Sequence, residues 1–313
     1  MHNNMIIIHG INKIRKFRKP VVAIGVFDGV HRGHVKILRS VAKKAASVGG
    51  TAMAMTFWPH PQDAGHLYSL KHRFRLIAEC GIKVCVVVGF NKHFAATSAE
   101  DFIKRILVDK IHPAYVYVGG NFNFGRGGRG DCRMLEVLAA AYHFGVKVFD
   151  VLKVNGRPVS STHIRALIRG GKLFAASSLL GRPVSVLGSV VRGRALGSKL
   201  GFPTANINPH HEIIPPSGVY AARVRIGAKI YLGVCNIGKK PTFGAQENYR
   251  SLQQSREDIE VNIFDFNRDI YGRYIEVLFI KKIRNEKKYG SIPQLAARIK
   301  RDVITARRLF CRH

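Results

Sequence analysis

The chain changes its periodicity once, near Gly181-Arg182-Pro183, and that change confines it to two differently built parts. Before this point, short apolar runs alternate with stretches of helical spacing. Residues 21–26 form an apolar run that ends in a turn at Asp28-Gly29. Val35, Ile37, Leu38, Val41, Ala42 and Ala45 then recur at helical spacing, and Gly49-Gly50 stops the helix. Further strands are expected at 51–58, 84–88, 115–118 and 146–151. Helices are expected at 70–80, from a Ser98 cap through 108, and from Asp131 to about 144. Five strands with helices between them argue for an α/β unit, a parallel sheet covered on both faces. Ligands of such sheets sit beyond the carboxyl ends of the strands.

After a helical stretch at 161–180 the pattern turns to short strands punctuated by Gly, Pro and Asn, at 184–191, 219–226, 229–236, 259–264 and 275–280. Regular short strands of this kind predict a small antiparallel barrel, followed by a final helix at 292–309. A chain of 313 residues has room for both, and the spacing sets the domains at 1–182 and 183–313.

Composition narrows the setting. There is no run of about 18 apolar residues, so no membrane span is expected. The apolar piece at 5–8 is followed by basic residues and does not read as a secretory signal. Five scattered cysteines without a C-x-x-C pair argue against a disulfide framework or a zinc site and point to a reducing, cytoplasmic compartment. Lys plus Arg is 51 against 19 for Asp plus Glu, a net charge of +32. Such a field attracts polyanions, nucleic acid among them. Its spread along the chain, without one stripe, fits a generally basic composition better than a dedicated RNA surface.

Residues 25–34 read G-V-F-D-G-V-H-R-G-H, where a strand runs through glycines into a helix start. That geometry aims backbone N–H groups and the positive helix end at an anion. Gly29 and Gly33 allow close backbone approach. His31 and His34, three apart, can donate to charge growing on a phosphoryl oxygen. The other reading, a metal pair, lacks an acidic or cysteine partner nearby. A later Ser160-Ser161-Thr162-His163-Ile164-Arg165 opens a helix. Ser161 is a cap on the plain reading, while Arg165, a turn on, can fork onto phosphates.

With T-F-W-P-H-P at 56–61 and V-G-G-N-F-N-F-G at 118–125, these motifs resemble the adenylyltransferase module of bacterial bifunctional riboflavin kinase/FAD synthetases, within the histidine–glycine–histidine nucleotidyltransferases. The resemblance implies a Rossmann-like nucleotidyltransferase sheet that uses ATP. His31 and His34 would hold its phosphates within a turn that includes Gly25, Phe27, Asp28, Gly29 and Gly33. It implies that Asn121 contributes to the nucleotide site, and that Ser161, Thr162 and Arg165 form a mobile phosphate clamp. Phe57 and Pro59-His60-Pro61 would lie on the flavin side. An FMN phosphate is already anionic, so the transfer to it needs alignment and charge stabilisation but no general base. Asp28 then only shapes the turn.

The second half carries L-G-F-P-T-A-N at 200–206, then P-P-S-G-V-Y at 215–220, then N-I-G-K-K-P-T-F at 236–243, with Glu260 and R-N-E at 284–286. This ordered set resembles the riboflavin kinase module, an antiparallel β-barrel, with Lys240 where the family carries arginine. A neutral ribityl hydroxyl needs a base, and Glu260 is the family-matched candidate. Taken alone, a glutamate in an antiparallel strand is usually just the solvent-facing partner of the alternation. Thr204 and Asn206, two apart on an extended segment, can face one Mg²⁺ carried by ATP. Gly201, Phe202 and Pro203 belong to the flavin and ATP site. Arg284 reaches the flavin or the phosphates, or is a structural arginine. The resemblance thus implies riboflavin, FMN, FAD and ATP as ligands and two consecutive reactions in one polypeptide. The rival readings are a single adenylyltransferase with an inert barrel, and a non-catalytic RNA- or membrane-binding protein.

Overall fold

The computed structural model describes residues 5–59, 66–193, 197, 200–239, 257–287 and 289–311. Its contacts divide the chain into two units, one of Met1–His66 with Leu70–Ser161, the other of Leu67–Ser69 with Thr162–His313.

The first unit is a parallel sheet of β1 (Ile6–His9), β2 (Val21–Ile24), β3 (Ala52–Trp58), β4 (Val84–Gly89), β5 (Tyr115–Gly119) and β6 (Gly145–Phe149), in the order β1-β4-β3-β2-β5-β6. The strand order reverses at β2, whose neighbours are β3 on one side and β5 on the other. A crevice therefore opens beyond the carboxyl ends of β2 and β5. The helices are α1 (Arg32–Ser47), α2 (Leu70–Glu79), α3 (Lys92–Ala95), α4 (Ala99–Asp101), which continues as π-helix over Phe102–Ile111, and α5 (Cys132–Ala141). Alternate strand residues, among them Val22, Ile24, Met53, Met55, Val84, Val86, Val116 and Val118, pack with Ile103, Ile106, Leu107 and Leu135 of the helices. The apolar stripe of α1, Ile37, Leu38, Val41 and Ala45, is also buried, and α1 packs along β2, β3 and β5.

Two sequence expectations need correction here. The sheet has six strands and not five, because residues 6–9 add to the edge, pairing from Ile6 with Val84 to His9 with Val87. An edge strand has one neighbour and a short exposed face, so its pattern is weak. The helix capped by Ser98 runs to Ile111, ending where His112 turns left-handed with φ 51°.

A tight hairpin of β7 (Lys153–Val154) and β8 (Arg157–Pro158) follows, turning on Asn155 and Gly156 with φ 49° and 75°. The helical stretch expected at 161–180 is two helices, α6 (Ser161–Arg169) and α7 (Leu173–Leu180). The break falls at Gly171, whose φ of 69° suits glycine and ends a helix.

The second unit is a closed antiparallel barrel of β9 (Ser185–Val191), β10 (Ala205–Asn208), β11 (Gly218–Ile226), β12 (Lys229–Lys239), β13 (Glu257–Ile263) and β14 (Tyr274–Arg284). The order is β10-β13-β12-β11-β14-β9, and β9 pairs with β10 to close it. The last helix, α8 (Ile292–Phe310), begins at a Ser291 cap and lays Val303, Ala306, Leu309 and Phe310 against Val219, Ala221 and Val234.

Candidate active sites

The 25–34 turn leaves the end of β2 at the strand-order reversal. Phe27 adopts a left-handed conformation, φ 52°, and a short 3-10 turn over Asp28–Val30 follows, with Gly29 at φ 76°. Phe27, Asp28 and Val30 are all buried. Gly25 lies against the Phe27 ring, which an added Cβ would meet at 3.3 Å. His31 then caps α1, its Nδ1 accepting the His34 backbone N–H at 3.4 Å. A ring nitrogen that accepts leaves Nε2 to carry the proton, so His31 presents a donor away from the helix. The His31 and His34 rings stack with centroids 3.6 Å apart and planes 17° apart. His34 stands edge-on to Phe27, at 5.3 Å. Gly33 has the His31 ring where its own Cβ would be, again at 3.3 Å. Both imidazoles therefore stand together at the N-terminus of a 16-residue helix, where the dipole favours an anion.

Asn121 follows β5, the strand beside β2, and its side chain turns back to within 3.4 Å of where a Gly119 Cβ would lie. Ser161 joins the same region: its hydroxyl donates to the Asp28 carbonyl oxygen at 2.9 Å. Thr162 is exposed and Arg165 buried one turn along α6, and both count with the second unit. Phe57 is buried among Phe90 and Phe94. His60 and Pro61 lie outside the described residues.

The sequence gives no hint of Arg73, on α2. It is completely buried, and its Nη1 donates to the Val26 carbonyl oxygen at 2.7 Å. The Thr56 hydroxyl donates to the same oxygen at 2.8 Å. No sequence signal marks a contact across 47 positions; only helix and strand packing creates it.

In the barrel, strand register brings the polar residues together. Glu260 on β13 lies directly across from Asn206 on β10 and from Asn236 on β12. Cross-strand partners share a face, so the three side chains form one row. Glu260, Asn236 and Thr204 line a cavity of about 300 Å³. Asp258, Asn262 and Glu286 add polar groups to its wall, and Val219, Val234, Leu295, Ile299 and Val303 an apolar one. Asn206 is buried and its amide lies against Gly193, where a Cβ would come within 2.0 Å of Nδ2. Phe202 also lines the cavity, while Gly201 turns with φ 79°. The Asn262 amide donates to the Pro203 carbonyl oxygen at 2.8 Å and pins this loop. The 240–243 motif residues lie outside the described ones.

Arg284 borders the cavity, yet its guanidinium forks onto buried Asp302, with Nε to Oδ2 at 2.9 Å and Nη2 to Oδ2 at 2.8 Å. Arg298 reaches the same carboxylate at 3.3 Å. Asn236 opened the quoted 236–243 motif without a role of its own, and Asp302 was not singled out from the sequence. The register opposite Glu260 is the signal for the first, whereas the second becomes visible only through the fold.

Comparison with known proteins completes this picture. Residues 13–163 match the FAD synthetase family model, and residues 180–310 match the riboflavin kinase model. A bifunctional riboflavin kinase/FMN adenylyltransferase of Escherichia coli (strain K12) is 36% identical, with 98% of each chain covered. The protein of that name from Bacillus subtilis (strain 168) is 34% identical over 93% of each chain. A crystal structure described as a macrolide-efflux protein from Streptococcus pneumoniae is similar over 97% of this chain and 99% of its own, with TM-score 0.81 and 29% identity. That name concerns that protein; among the described residues of this chain, no helix is long and apolar enough to cross a membrane. Two family models in tandem, and relatives that align nearly end to end, show that this chain belongs to the bifunctional riboflavin kinase/FMN adenylyltransferase family.

Proposed function

We infer that this chain makes both flavin cofactors in sequence. Riboflavin and ATP give FMN and ADP at the barrel; FMN and ATP give FAD and pyrophosphate at the α/β unit. The observation that carries the reading is the row Asn206–Glu260–Asn236, of which Glu260 and Asn236 line a cavity with one polar and one apolar wall. A flavin offers the same two sides, a flat ring system and a polyhydroxyl chain.

In the kinase step, Glu260 takes the proton of the terminal ribityl hydroxyl as its oxygen attacks the γ-phosphorus, and ADP departs. Thr204 and Asn206 offer a hydroxyl and an amide oxygen, a neutral set of hard donors that suits a magnesium ion held largely by nucleotide phosphates and water. Such an ion supplies charge neutralisation across the phosphates when bound. Gly201, Phe202 and Pro203 form the loop over this site. Arg284 orders the cavity wall through Asp302 and is in reach of a bound ligand.

In the adenylyl step, an FMN phosphate oxygen attacks the α-phosphorus and pyrophosphate leaves. His31 and His34 donate to the phosphoryl oxygens as charge grows, beside the backbone of Gly25, Phe27, Asp28, Gly29 and Gly33. Asn121 completes the nucleotide site. Ser161, Thr162 and Arg165 act as the clamp on the β- and γ-phosphates. The Ser161 bond to the Asp28 carbonyl supports counting α6 and α7 with this activity, so we set the functional division at 1–182 and 183–313. Five cysteines, all thiols, support a cytoplasmic enzyme.

Incubation of the purified chain with riboflavin, ATP and Mg²⁺, with chromatography of the flavins, tests this reading. FMN followed by FAD is expected; FAD formed only from added FMN would leave a single adenylyltransferase with an inert barrel.

A further inference from the structure

Arg73 is a whole guanidinium enclosed in protein, 0% exposed, on the face of α2 that packs against the 28–30 turn. Among the described residues it makes one hydrogen bond, from Nη1 to the Val26 carbonyl oxygen, and Nε and Nη2 have no partner. Its other close neighbours are the Trp58 ring, 5.1 Å from Cζ, and the buried Asp28, whose charge favours the guanidinium cation. Burial lowers its pKa, and the nearby Asp28 charge opposes that shift. Such an arrangement costs folding free energy, because a buried charge without full pairing is expensive.

The place where that cost is incurred is informative. The Val26 carbonyl is the last backbone group before the chain turns left-handed at Phe27, φ 52°, and again at Val30, φ 38°. Neither residue type favours that region. Two donors, Arg73 and Thr56, occupy both lone pairs of this one oxygen, at 2.7 and 2.8 Å. Five residues later stands His31, which caps α1 and stacks on His34. The direction of the Val26 peptide sets the direction of everything between it and the two imidazoles.

We propose that Arg73 is a positioning residue of the adenylyl-transfer site: it fixes the Val26 carbonyl, and through it the 27–31 turn that aims His31 and His34 at the phosphates. The proposal rests on the reading of this site as FMN adenylylation. It differs from a packing role in a measurable way. Arg73→Met removes the donor and the charge while keeping most of the volume, so the packing around α2 is largely retained. The reaction should slow, since small misplacements at the reacting groups cost roughly 10- to 100-fold in rate.

The experiment uses the full-length protein and compares wild type, Arg73→Met, Arg73→Lys and Thr56→Val. The expected result is a fall in kcat for FAD formation from FMN, with the ATP KM shifted far less. Arg73→Lys should recover part of the rate, and riboflavin phosphorylation by the same preparations and the melting temperature should hold. Thr56→Val should show a smaller loss of the same kind, and it carries the test if Arg73→Met folds poorly. Unchanged kcat in Arg73→Met, or in Thr56→Val where that variant stands in, overturns the proposal. So does an equal loss of both activities with a lowered melting temperature in every variant. A wild-type chain that forms no FAD at all would overturn the functional reading itself, a result separable from these.

Discussion

Glu260 illustrates what a single position can and cannot say. Its neighbours Ile259 and Val261 are buried, so alternation alone would turn it towards solvent. In a closed barrel that other face lines a cavity, and register sets Asn206 and Asn236 on either side of it. The ordered motifs marked Glu260 as the expected base; Asn236 needed the register. Arg284 was read either as a ligand contact or as a structural arginine, and its partner was not legible, since Asp302 approaches it only when α8 closes on the barrel. Asp302 is 2% exposed and holds both Arg284 and Arg298. Asp302→Ala removes the shared anion and leaves cations at the cavity edge. The barrel should lose about 3 kcal/mol, the cost of breaking a buried pair from one side. Denaturant unfolding would measure it, and an unchanged midpoint would mean that the pair contributes only geometry.

At the scale of elements, the strongly periodic pieces were legible: β2 to β6, α1, five of the barrel strands and the final helix. The misses share a physical cause. β1 has a single neighbour, and β10 is four residues of mixed polarity whose pairing with β9 and β13 is specified by those partners. The glycine break between α6 and α7 is a local stop that helical spacing alone does not register. β10 also depends on a close approach. Gly193 runs so near the Asn206 amide that a Cβ would come within 2.0 Å of it. Gly193→Ala should therefore displace Asn206 and lower riboflavin phosphorylation by roughly ten-fold or more while FAD formation from added FMN continues. Separate assays of the two reactions check this, and normal kinase turnover would show that Asn206 tolerates the shift.

β4 offers a test of burial. Cys85 is fully enclosed, and burial pushes its thiol up from 9.0 to about 12. Below pH 9 the folded and unfolded chains both keep this proton, and it has no effect on stability. As pH rises from about 9 towards 12, the unfolded chain releases it first, so the folded state loses stability, by up to about 1.4 kcal/mol per pH unit. Cys85→Ala should flatten the fall in stability across that window. Parallel curves for the two proteins would show that the thiol is not titrating differently in the folded state.

The whole molecule combines a parallel sheet, whose strand order reverses at β2, with a barrel that encloses a cavity. On the proposed reading each answers one chemical demand: charge stabilisation alone for an anionic nucleophile, a base for a neutral one. The net charge of +32 adds attraction for nucleotides of any kind and does not distinguish the sites. What the sequence made legible was therefore the pair of chemistries; what it hid was the support behind each, from Arg73 in one unit to Asp302 in the other. The most direct test is a crossed assay on full-length variants. Glu260→Gln should form no FMN from riboflavin yet convert added FMN to FAD at near the wild-type rate. His34→Ala should accumulate FMN and make FAD far more slowly. If either substitution instead depresses both reactions to the same degree, the two transfers do not occupy the two sites described.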